Sequence, residues 1–80
     1  MTTFPAVTHV AVTVTDLSVS LPWYNRLFGA DPVLDEDTGP FRHVVWAIGD
    51  MLYSLHGFPD GRPAGGFDPV RPGLDHVAFA

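Results

Sequence analysis

The sequence predicts an α+β fold: one βαβββ module with a mostly antiparallel sheet and one main helix, followed by the first strand of a second module. Three observations predict it. Thr8-His9-Val10-Ala11-Val12 and Asp75-His76-Val77-Ala78-Phe79 carry one x-His-Val-Ala-apolar pattern 67 residues apart, the mark of a duplicated unit. Between them the apolar period is helical once and strand-like before and after. Nine of the seventeen residues over 57–73 are then Gly or Pro, a composition that favours a connector over regular structure. The chain therefore reads as an incomplete paired-βαβββ fold. A module spans residues 1–56, a Gly/Pro-rich linker 57–73, and the first strand of a truncated second module 74–80.

Each element has its own justification. Residues 7–14 alternate, with Thr8, Val10, Val12 and Val14 on one face and Val7, His9, Ala11 and Thr13 on the other. The valine face should pack on a helix. The small residues beside His9 leave open space on the opposite face. Asp16 is a good N-cap, and Leu17, Leu21, Tyr24 and Phe28 recur at helical spacing up to Gly29, a C-terminal stop. Pro22 conflicts with that frame: it either deletes a hydrogen bond and bends the helix or moves the start toward Ser18 or Ser20. A short strand over 32–35, a Thr38-Gly39-Pro40 turn and a longer strand over 41–48 come next. Ile48-Gly49-Asp50-Met51 places glycine first in a two-residue hairpin, as a type II′ turn requires, and leads into a strand over 51–56. The acidic run Asp35-Glu36-Asp37 reads as a solvated turn.

Composition limits what such a chain can do. Eighty residues with 46% hydrophobic content form a core, but a domain this small buries only about 60% of its unfolded surface and is marginal alone. Stability should come from a partner, and an unpaired apolar strand over 74–80 invites one. A homodimer is expected, with the terminal strands exchanged as one way to form it. No cysteine is present, which fits a reducing compartment. No basic leader precedes an apolar stretch, and no apolar run nears the ~20 residues of a membrane helix, so a cytoplasmic protein away from membranes is expected. Nine acidic residues against four scattered arginines, for a formal net charge of −5, argue against nucleic acid.

The element order, the x-His-Val-Ala opening strand, Asp16-Leu17 with Trp23-Tyr24 and Leu27-Phe28-Gly29, and Leu55-His56 closing the unit together resemble the vicinal oxygen chelate superfamily. Its members include glyoxalase I, extradiol dioxygenases, fosfomycin-resistance enzymes and bleomycin-resistance proteins. The resemblance implies a divalent metal (Fe, Mn, Zn or Ni) held between two modules by residues on the first and fourth strand of each. His9 and His76 match the two first-strand ligands, and neutral imidazole suits such metals. On the fourth strand, where glyoxalase-type members place a glutamate, this sequence has Ser54, with His56 two residues on as a replacement ligand or a substrate contact. Trp46 and His43 are further candidate substrate contacts, while Glu36, the only glutamate, sits in the acidic run away from the expected site. The resemblance also implies an enzyme acting on a small oxygenated substrate, as a lyase, isomerase or ring-cleaving dioxygenase. The alternatives are a metal-free binding protein of the bleomycin-resistance type and an inactive truncated product.

Overall fold

The structure, a computed structural model, describes residues 4–59 and 66–80. Strand β1 (His9–Val14) leads into helix α1 (Leu17–Phe28), followed by strands β2 (Leu34–Asp37), β3 (Arg42–Ile48) and β4 (Met51–Gly57). The four strands form one sheet in the order β1-β4-β3-β2. Only the β1–β4 pair is parallel: the helix carries the chain to β2 at the far edge of the sheet, and two antiparallel hairpin pairs then bring β4 back beside β1 in its own direction. The mixed, mostly antiparallel βαβββ module is thus the fold.

The valine face of β1 packs as its alternation predicts. Val10, Val12 and Val14 join Leu17, Leu21, Tyr24 and Phe28 of the helix around Val44, Trp46, Tyr53 and Leu55. Aromatic rings dominate this core. Tyr24 lies 5.9 Å from Trp46 and 5.2 Å from Tyr53, and Phe28 meets Trp46 and Tyr53 edge-on at 5.5 and 5.3 Å, separations in the favourable range for aromatic pairs. The polar tips are satisfied in place. Trp46 Nε1 donates to Asn25 Oδ1 at 3.0 Å and to Ala30 O at 3.2 Å, and the Tyr24 and Tyr53 hydroxyls share a 3.1 Å hydrogen bond. Burial, with that hydrogen bond, raises the Tyr53 pKa well above the usual phenol value, because an ionised phenolate there would lose its solvation.

The helix keeps the start its cap dictates. Asp16 accepts from Ser18 N at 3.0 Å and Ser18 Oγ at 2.6 Å, and Gly29 closes the helix in the left-handed region at φ 65° with its N–H on Asn25 O at 2.9 Å. Pro22 stays inside, so the cap outweighs the one hydrogen bond that proline removes. The β3–β4 turn also matches the expectation: Gly49 has φ 58° and no non-glycine residue has positive φ among the described residues, the type II′ pattern.

Four expectations are corrected. The second strand covers Leu34–Asp37 rather than 32–35, so the acidic run is strand and not turn. The carboxylates pair across the ladder, with Arg42 Nε donating to Asp35 Oδ1 at 2.8 Å and holding that carboxyl below its usual pKa. Strand β1 begins at His9 and β3 at Arg42, later than read. Strand β4 runs one residue past the expected module boundary, through Gly57, because Gly57 still pairs with Val14 on one side and Arg42 on the other; Leu17 of the helix packs so close to it that a Cβ there would lie 2.4 Å from Leu17 Cδ1. Finally, residues 74–80 form no strand and join no ladder. An extended segment becomes a strand only when another backbone takes up its donors and acceptors. Instead Phe79 packs edge-on against Phe28 and Tyr53, at 5.6 and 5.8 Å. Of the expected linker, 60–65 lie outside the described residues, and Asp68 caps a turn with Val70 N on its Oδ1 at 3.1 Å.

Candidate functional site on the open face of the sheet

Helix α1 covers one face of the sheet and leaves the other open. The register decides what stands there. Pairing of Ala11 with Ser54 and Thr13 with His56, and of His43 with His56 and Val45 with Ser54, puts these side chains on the face opposite Val12, Leu55 and Val44. His9, paired with Leu52, shares that face. Pairing of Glu36 with His43 adds the glutamate. One row, Thr13, His56, His43 and Glu36, therefore crosses all four strands.

The row is chemically the densest part of the face. The His43 and His56 rings lie 5.0 Å apart, and His43 Nδ1 is 3.7 Å from Glu36 Oε1. Phe41 lies over His56 at 4.6 Å and touches Phe58 at 5.3 Å. Partial burial, aided by the charge of His43, lowers the His56 pKa, so this ring is neutral at neutral pH. Two strand positions away, Ser54 is buried at 5% exposure, its hydroxyl 3.5 Å from Val10 O. Among the described residues, two cavities flank the module. One of about 350 Å³ lies at the sheet end among Thr15, Asp16, Leu17, Ser18, Phe41, Arg42 and Phe58; another of about 390 Å³ lies on the helix side, lined by Val12, Trp23, Leu27, Tyr53, His76 and Phe79.

A family model described as the Glyoxalase/Bleomycin resistance protein/Dioxygenase superfamily matches residues 6–80. The chain belongs to this superfamily. No curated protein and no solved structure matches it.

Set against the superfamily expectation, the candidate residues separate. His9 is exposed on the open face, its Nδ1 3.1 Å from Thr8 Oγ1. His76 lines the helix-side cavity with Val12 and Tyr53, its Nδ1 3.0 Å from Asp75 Oδ1. The two lie on opposite sides of the sheet, so a single chain does not bring His9, His56 and His76 to one metal. Among the described residues, no group of three or more His, Asp or Glu side chains is placed to hold a metal ion. The residues of one chain do not fit the metal of the superfamily's paired site. Trp46 lies apart from the open face: it is fully buried on the helix side, in the core cluster. Ser54, His43 and His56 do share the open face.

Sequence reading missed the partners of those residues. Phe41 and Phe58 wall the row, and Glu36 sits beside His43 rather than far from the site. The signal was present in the hairpin. Counting outward from Ile48 opposite Met51 leads directly to His43 opposite His56, and the Thr38-Gly39 turn brings Glu36 opposite His43. Asn25, which holds the indole of Trp46, carried no such signal.

Proposed function

We propose that the open sheet face binds a small aromatic or oxygenated molecule, in the manner of a sequestering module of this superfamily. The observation that carries this reading is the ring cluster on the face the helix leaves uncovered, Phe41 tilted against His56 at 4.6 Å and His43 edge-on to His56 at 5.0 Å. Flat apolar walls next to imidazole and hydroxyl groups suit a planar ligand with a few oxygens. Buried Ser54, where a carboxylate ligand is expected, supports binding without a resident metal.

A homodimer completes this face. Strand β2 is an edge guarded by Asp35, Glu36 and Asp37, whereas β1 is an edge of His9, Val10, Ala11, Val12 and Thr13 with no guarding carboxylate. The unladdered residues 74–80, which share the β1 pattern, are suited to pair with that edge in a second copy. The metal-dependent enzyme is the second reading, favoured by the exposed position of His9 on the same face; its remaining donors would come from another module or copy.

Thermal-shift titration with catechol, in EDTA, tests the first reading. Binding that survives EDTA and is lost in Phe41→Ala supports it. Binding indifferent to Phe41→Ala refutes it, and binding abolished by EDTA and restored by a divalent ion replaces it with the enzyme. Light scattering after size-exclusion chromatography tests the dimer; a stable folded monomer refutes it.

A further inference from the structure

We infer that the cavity between helix α1 and the segment over 74–79 is a second binding site, for an uncharged two-ring aromatic molecule carrying one N–H or O–H group. It lies on the helix side of the sheet and shares no residue with the open-face ring cluster, so it does not depend on the site proposed there.

Size and walls carry it. The cavity holds about 390 Å³, more than twice the volume of about 150 Å³ in which an apolar cavity takes up benzene, and within the range of small-molecule pockets. Val12 and Tyr53 of the sheet form its floor, Trp23 and Leu27 of the helix one wall, and Leu74 and Phe79 the other. Phe79, edge-on to Phe28 and Tyr53 at 5.6 and 5.8 Å, ties the outer wall to the core, and Trp23 stands edge-on against Tyr24 at 4.8 Å. Trp23 and Leu27 nevertheless stay 50% and 49% exposed, and Leu74 69%. The two walls do not close on each other. A flat ring between them would remove apolar surface from water on both of its faces and meet aromatic edges at favourable angles.

The mouth sets the chemical class. Asp75 and His76 line the same cavity, joined at 3.0 Å through His76 Nδ1 and Asp75 Oδ1, and both side chains are mostly exposed. A carboxylate at that edge accepts an N–H or O–H from the ligand and repels an anion, as does the formal net charge of −5. An apolar slot with one acidic rim therefore favours a neutral ring system with a single donor over one that carries a carboxylate. The arrangement belongs to a chain whose terminal segment lies on its own helix. Strand exchange in the proposed homodimer and occupation of this cavity would compete for the same residues.

Thermal-shift titration of the full chain with indole tests the site, on dilute protein so that mass action favours the single chain. A rise in Tm of roughly 8 °C at a tenfold excess over Kd is expected, with indole-3-carboxylate binding at least tenfold more weakly. Leu27→Glu sets a charge on the cavity wall at a half-exposed helix position where glutamate keeps good helix propensity, and should weaken indole at least tenfold. Should that variant fold poorly, methyl NMR on the unmodified chain decides: indole shifts the Leu27, Leu74 and Val77 methyl resonances together. No rise in Tm, wild-type indole affinity in folded Leu27→Glu, equal affinity for the carboxylate, or methyl shifts confined to Ala11, Thr13 and Val45 on the open face overturns the inference. The catechol test turns on Phe41 and this one on Leu27, so either reading can fail without the other.

Discussion

Substituting Gly57 by alanine probes how the helix is seated on the sheet. The added Cβ would lie 2.4 Å from Leu17 Cδ1 and 2.6 Å from Leu17 Cγ, whereas carbon atoms in good contact stand about 3.5–4.0 Å apart. Overlap with Cγ as well as a terminal methyl cannot be relieved by turning the end of the side chain alone. Leu17 is also the first residue after the Asp16 cap, so moving its backbone disturbs the cap. Overpacking of this kind costs about 1–3 kcal/mol. Replacing glycine lowers the entropy of the unfolded chain and offsets about 0.4–1 kcal/mol. A net loss of about 1–2 kcal/mol remains, or a fall in Tm of roughly 5–15 °C for a domain of this size. The assay is thermal unfolding followed by circular dichroism, in a double-mutant cycle with Leu17→Ala. With Leu17 cut back, only its Cβ remains near the new methyl, at 3.6 Å, an ordinary contact. Gly57→Ala should then be neutral or slightly stabilising, which makes the coupling between the sites about 1 kcal/mol or more. An equal cost in both backgrounds would refute the steric account.

Three other outcomes are expected. Asp16→Ala removes the acceptor for Ser18 N and Ser18 Oγ and should cost about 1 kcal/mol by urea unfolding; Asp16→Asn should restore most of it. Trp46→Phe keeps the ring in the core but leaves Asn25 Oδ1 and Ala30 O without the indole N–H, a loss of about 1–3 kcal/mol read by the same method. Because the folded state raises the Tyr53 pKa, stability tied to its neutral form is intact below the unfolded value of about 10 and declines as pH rises beyond it. Tyr53→Phe should flatten that alkaline decline, and an unchanged slope between about pH 9 and 11 would count against the assignment.

How much was legible depends on where the information resides. Alternation in β1, the Asp16 and Gly29 caps and the Gly49 turn are local, and each appears as read because nearby backbone geometry alone enforces it. The fate of residues 74–80 is not local. Their composition matches β1, yet strand formation depends on a backbone to pair with, and within one chain Phe79 finds the aromatic core instead. Trp46 depends on register in the same way: its type suits a pocket wall as well as a core, and only the pairing of the strands places it under the helix. The open face was half legible. Strand identity and turn type together determine that His43 meets His56, but Phe41 and Phe58 join them through side-chain directions just outside the strands, which spacing does not encode.

The two rims of the sheet are unequal in charge, which bears on how far the proposed pairing could extend. Three successive carboxylates line β2, whereas β1 ends the sheet in short apolar and hydroxyl side chains. Annealing through β1 leaves both outward rims of the resulting pair negatively charged and mutually repulsive. In the proposed homodimer, lateral growth would therefore stop after one addition, which would keep a small protein with an adhesive margin from becoming the seed of a fibre.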